Sequence, residues 1–125
     1  MPTPWEASLD PSDNVDFYAD FGAVGESGTE AVLAEGEAID SFTAIPTAAA
    51  TAAGLLVGAS GQYAPSKVND DRTVKMWLSI DPDKRDNCEF GTTAGLALGV
   101  EVSIVTDSVP PRSFQRTWTV TVRNL

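Results

Sequence analysis

Carboxylates are the chemistry-bearing side chains that this sequence has in quantity: 18 Asp and Glu in 125 residues, with one Cys and no His. Their densest grouping is Asp81-Pro82-Asp83-Lys84-Arg85-Asp86-Asn87-Cys88-Glu89. Calcium takes several oxygen ligands at close quarters, and Asp81, Asp83, Asp86 and Glu89 offer carboxylates within one loop. The spacing fails the helix-flanked calcium loop, because Arg85 and Thr92 stand where further ligands belong. Lys84 and Arg85 also repel a cation, so the segment reads as a solvated loop. Paired carboxylates can hydrolyse glycosides, but no pair stands out from the acidic background. Nucleophilic catalysis lacks the His that would activate it. The single Cys88 excludes an intrachain disulfide and a Cys-based zinc cluster. Gly22, Gly25 and Gly28 recur without the strand-to-helix setting or the following Lys of a phosphate loop. The expectation is a protein that is not an enzyme and holds no metal and no cofactor.

Binding is the remaining chemistry. Trp5, Trp77 and Trp118 could together form a stacking platform for a glycan, as in a carbohydrate-binding module. Trp118 and Trp77 sit at strand positions, where core packing competes with that role. Trp5 lies in a proline-rich stretch outside any periodic segment. It either docks as an apolar anchor into a neighbour's groove or folds back on its own domain. The charge pattern adds a direction. No Lys or Arg precedes Lys67, whereas acids run from Glu6 to Asp40, so the net charge of -10 sits on the N-terminal half. Such a surface repels nucleic acid and anionic lipid. It suits simple solubility or docking on a basic protein.

The elements that must position these residues read as short strands. One domain is expected from the length, and 42% hydrophobic against 21% charged residues is a globular balance. The 10 Gly and 8 Pro punctuate the chain too often for long helices. Residues 1–13, with Pro2, Pro4 and Pro11, read as an extended arm. Asn14–Phe21 is the first strand candidate, and a Gly-rich loop follows it. Ile39–Ile45 is the second, stopped by Pro46. Thr47–Gly54 reads as loop or irregular strand, since its threonines weaken the helical preference of its alanines. Leu55–Ala59 and Gln62–Val68 suggest a hairpin around Ser60-Gly61. In Arg72–Ile80, Val74, Met76, Leu78 and Ile80 share one face. Residues 81–95 form a polar loop, Val100–Thr106 alternates again, and 107–112 turns. Ser113–Arg123 closes the chain with Phe114, Trp118, Val120 and Val122 inward, interrupted by Arg116. The expected core is Phe17, Phe42, Leu55, Val74, Met76, Leu78, Val102, Ile104, Trp118, Val120 and Val122. The expected fold is all-β: an immunoglobulin-like antiparallel β-sandwich at 14–125 carrying the arm at 1–13.

The order of several weak motifs adds a resemblance. Leu33-Ala34-Glu35-Gly36-Glu37-Ala38-Ile39-Asp40-Ser41 is followed by Ala53-Gly54-Leu55. Next come Val74-Lys75-Met76-Trp77-Leu78-Ser79, then Gly91-Thr92-Thr93-Ala94-Gly95, then Arg112-Ser113 running to Val122. Over residues 13–125 this order resembles a family of small tailed-bacteriophage virion proteins described as fibre–tail adaptor-like. The chain departs from that pattern by inserting Ile80–Phe90 ahead of the Gly91–Gly95 turn and Thr47–Ala52 ahead of Ala53-Gly54-Leu55.

The resemblance implies a virion role with no activity and no cofactor. On that reading the chain docks in multiple copies on capsid, connector or tail proteins, as shell decoration or as a neck or tail adaptor. No nucleic acid or membrane is an expected partner. The expected docking residues are Trp5, Leu9 and Phe17, with Asp10, Asp13, Asp16 and Asp20 facing a basic partner. The N-terminal stretch lacks the basic residue and apolar core of a signal peptide, so assembly inside a host cell, and location in the virion, are expected.

Overall fold

A computed structural model of the chain describes residues 2–22 and 32–125. Most of the expected Gly-rich loop, with Gly25 and Gly28, lies outside the described residues. The described chain is an all-β sandwich of two packed sheets with one short helix. Its strands are β1 (Thr3–Pro4), β2 (Asn14–Asp20), β3 (Ile39–Pro46), β4 (Leu55–Val57), β5 (Ser66–Val68), β6 (Thr73–Ile80), β7 (Leu96–Thr106) and β8 (Ser113–Val122). The first sheet has the order β1-β8-β7-β3. The second has the order β2-β6-β4, with β5 also paired to β6.

Side-chain alternation decides which face each strand buries. In β6 the residues Val74, Met76, Leu78 and Ile80 are buried, and β2 supplies Phe17 and Ala19 opposite Met76 and Val74. In β7 and β8 the inward series are Leu98, Val100, Val102 and Ile104, and Trp118, Val120 and Val122. Every residue of the expected core is buried except Phe42, which packs half-buried against the core from edge strand β3. Leu9, Phe21, Leu33, Ile39 and Phe90 complete the core from outside the strongly alternating strands. Arg116 keeps its inward position by laying its guanidinium over the Phe114 ring, 5.6 Å from the centroid.

Three local expectations are corrected. Ala48–Ala53 is an α-helix (α1), not a loop or strand. Its caps supply what its length lacks: the Thr47 hydroxyl accepts from the Ala50 amide at 3.2 Å, and Gly54 ends it at φ 100. A Cβ on Gly54 would also stand 2.6 Å from Lys84 Cβ. Ala50 is buried, so the helix packs against the core. The expected hairpin does not form. Leu55 pairs with Ile80 and Ser66 pairs with Lys75, so β4 and β5 bind β6 in succession instead of each other. A 3-10 turn at Gly61–Tyr63 occupies the segment between them. Finally, the first sheet is mixed, because β1 joins β8 in parallel.

Candidate docking surfaces

The expected docking residues separate into three environments. Leu9 and Phe17 are buried in the chain's own core. In this fold they present no surface to a partner, which corrects their place in the docking set. The cause is backbone pairing: the Leu9 amide donates to the Thr121 carbonyl and the Arg123 amide donates to the Leu9 carbonyl. Trp5 is held by the same edge. Its amide donates to the Thr119 carbonyl and its indole Nε1 donates to the Tyr18 carbonyl at 2.8 Å. Its ring lies 5.0 Å from Phe17 and 6.4 Å from Trp118. Trp5 therefore folds back on its own domain and bridges the two sheets.

Asp10 and Asp13 form the second environment. The Asp10 carboxylate accepts from the Ser12 and Leu125 amides, and Asp13 accepts from the Asp10 amide. The Ser12 and Leu125 amides hold the Asp10 carboxyl below its usual range. Both carboxylates thus hold a turn together.

Asp16 and Asp20 form the third environment, the outer face of β2 and β6. Asp16 stands opposite Trp77, Tyr18 opposite Lys75 and Asp20 opposite Thr73. The Tyr18 hydroxyl donates to Asp16 at 2.7 Å. That bond lowers the Asp16 carboxyl and raises the Tyr18 phenol. Asp20 accepts from the Gly22 amide and the Thr73 hydroxyl. Lys75 Nζ lies 6.0 Å from the Tyr18 centroid and 5.6 Å from that of Trp77. Tyr63 meets Trp77 edge-on at 5.2 Å. The result is a surface row of aromatic rings with one cation and two acids. Tyr18, Tyr63, Lys75 and Trp77 are not among the expected docking residues. The signal for Tyr18, Lys75 and Trp77 was the alternation of β2 and β6, readable only once the two strands are paired, whereas Tyr63 comes from the 3-10 turn and left none. The three tryptophans do not make one platform: Trp118 is buried, Trp5 stacks on it, and Trp77 stands on the opposite side of the second sheet.

The outer face of the first sheet has a different composition. Past a bulge at Asp40, β3 turns out Ser41, Thr43 and Ile45. From β7 come Ala97, Gly99, Glu101, Ser103 and Val105. Alternation along β8 adds Ser113, Gln115, Thr117, Thr119 and Thr121. Glu101 is the one charged residue among these outward positions, and its carboxylate accepts from the Gln115 amide at 3.2 Å.

A cleft at one end of the sandwich, about 590 Å³, is lined by Ala34–Glu37 and by Asp107–Pro110 with Arg112. Glu37 is buried there. Its carboxylate accepts from Arg112 Nε at 3.0 Å, from Arg112 Nη2 and from the Ala34 amide. The Arg112 guanidinium, helped by the Ala34 amide and the Thr106 and Ser108 hydroxyls, holds the Glu37 carboxyl far below the usual range despite its burial. The pair ties the β2–β3 connection to the turn before β8. In the 81–91 loop, Asp81 and Asn87 cap two 3-10 turns, and Phe90 anchors the loop in the core. Among the described residues no group of three or more His, Cys, Asp or Glu is placed to hold a metal ion. No helix among the described residues is long and apolar enough to cross a membrane.

Comparison of the chain with protein-family models, with curated proteins and with solved structures finds no match.

Proposed function

We propose that this chain is a non-enzymatic structural module of a tailed-phage virion, docking in multiple copies on capsid, connector or tail proteins. Its docking surface is the outer face of β2 and β6, where Asp16 and Asp20 share a row with Tyr18, Lys75 and Trp77. That row carries the proposal. Aromatic residues are enriched where proteins bind one another, and mixed charges fix register and orientation. The ordered motifs of the sequence support the virion class by where they fall. Leu33–Ser41 leads into β3, Ala53-Gly54-Leu55 joins α1 to β4, Val74–Ser79 lies in β6, and Arg112–Val122 runs through β8. Each is part of the sandwich frame. An immunoglobulin-like reading of that frame is supported by strand order: β2-β6-β4 against β3-β7-β8 follows the B-E-D and C-F-G arrangement. A parallel first strand beside the last strand is compatible with it.

The test is incorporation into particles. A Tyr18→Ala/Trp77→Ala double variant should fold yet be lost from purified virions, while Thr119→Ala is retained. Retention of the double variant would refute this face as the docking site. Copy number then separates the two virion positions: decoration scales with the shell, and an adaptor matches the ring it sits on. A second reading, a carbohydrate-binding module, rests on the exposed rings of Tyr18 and Tyr63 beside the half-buried ring of Trp77. Glycan quenching of tryptophan fluorescence that disappears in Trp77→Phe would favour it.

A further inference from the structure

We propose that the outer face of the first sheet is a self-association surface that takes the same face of a second copy of this chain. The first argument is charge. Two chains of net charge -10 repel when they approach. Among the outward positions of β3, β7 and β8 past the bulge only Glu101 is charged, with exposed Asp40 at the bulge itself, in a chain where 21% of residues are charged. The outer face of β2 and β6 instead carries Asp16, Asp20 and Lys75. The β3–β7–β8 face is therefore the one on which two copies meet with the fewest charged groups to desolvate. Depletion of charge is also the compositional mark of an interface core.

Shape gives the second argument. The outward positions are mostly small, so the face is low in relief. Gly99 has no side chain, and Thr47 and Thr117 methyls lie 3.0 and 3.4 Å from where its Cβ would stand. Ile45 and Val105 supply exposed apolar area, and Ile45 is 58% exposed. Flat sheet faces of this kind stack about 10 Å apart.

Area sets the strength. β3, β7 and β8 are 8, 11 and 10 residues long, so together they cover about 470 Å² per copy. Two copies would bury about 1,000 Å², at the lower bound for a specific interface. The expected dimer is weak, reversible and concentration-dependent. It is independent of the docking face proposed above, which lies on the other sheet.

Sedimentation velocity over a concentration series tests this directly. The chain should show a monomer–dimer equilibrium that strengthens with added salt, because screening reduces the repulsion of like-charged copies. Thr119→Glu on the proposed face should weaken dimerisation by about tenfold or more. Ser79→Glu adds the same charge to the other sheet's outer face and should change the dissociation constant by less than about twofold. Glu101→Gln should tighten the dimer. Circular dichroism of each variant confirms that it is folded. A chain that stays monomeric at every concentration and salt level overturns the proposal. So does a dimer that Thr119→Glu and Ser79→Glu weaken equally.

Discussion

Along one side of the sandwich the sheets are joined by the N-terminal segment. Trp5 reaches from β8 to the Tyr18 carbonyl of β2, and Leu9 is buried beneath the same edge. Along the other side, edge strand β3 faces β4 and β5, and helix α1 joins β3 to β4 and packs against both. Lys67 Nζ donates to the Ile39 and Asp40 carbonyls at one end. Further along, a groove of about 470 Å³ runs past Ala44, Ile45, Leu55, Leu56 and Val57. Ile45 and Leu56 are 58% and 45% exposed. One seam is closed by a segment from the far end of the sequence, and the other by the local β3–β4 connection, helix α1, together with Lys67. An extended, proline-rich segment with one tryptophan can thus be a structural plug. The free edge of β3 does not invite strand addition either: the bulge at Asp40 and Pro46 both protect it from pairing with a stray strand.

The largest test of this contrast is removal of residues 1–9. It uncovers Phe17 and Trp118 and deletes the buried Leu9. Loss of one buried Leu side chain alone costs about 2–5 kcal/mol, so the truncated chain should lose at least about 4 kcal/mol. Urea unfolding followed by circular dichroism measures it. An unchanged midpoint would return the segment to the role of a free tether and erase the difference between the seams.

Glu37→Gln comes next, and it addresses the end of the sandwich that both seams share. Losing a charged hydrogen-bonded pair should cost about 2 kcal/mol at pH 7. The pH dependence follows from the depressed carboxyl of Glu37. A depressed acid stabilises fully above its unfolded value of about 4.3 and loses that contribution as pH falls below it. The gap between the parent chain and Glu37→Gln should therefore be widest at pH 7 and narrow steadily below about pH 4. A gap that does not change with pH would assign the loss to packing.

These contrasts also show what the sequence could convey. Alternation made β6 and β8 readable, because a buried face with a wet one behind it leaves a period of two along the chain. The helix Ala48–Ala53 was obscured because its stability comes from caps at Thr47 and Gly54 instead of from length. Trp5 stayed ambiguous because its partners, Thr119 and Trp118, lie at the other end of the chain. The Glu37–Arg112 pair spans 75 positions and left no local signal. The Asp10 and Asp13 turn was different. Asp-Pro-Ser-Asp is a spacing that ties carboxylates to nearby amides, so those two acids could have been set aside from docking. The aromatic row on β2 and β6 needed the pairing of two distant strands before its members could be seen as neighbours.

The smallest effect belongs to the grooved seam. Ile45 and Leu56 are large apolar residues held about half in water, so polar replacement removes only part of a buried side chain's area. Leu56→Ser should cost about 1 kcal/mol. Its neighbour Leu55 is buried opposite Ile80, and Leu55→Ala should cost about 2–5 kcal/mol. The two substitutions differ by one position along β4, so their ratio reads the orientation of the strand and not its location. Comparable losses at both positions would mean that the groove is closed in solution, and that Leu56 is packed as Trp5 is on the opposite seam.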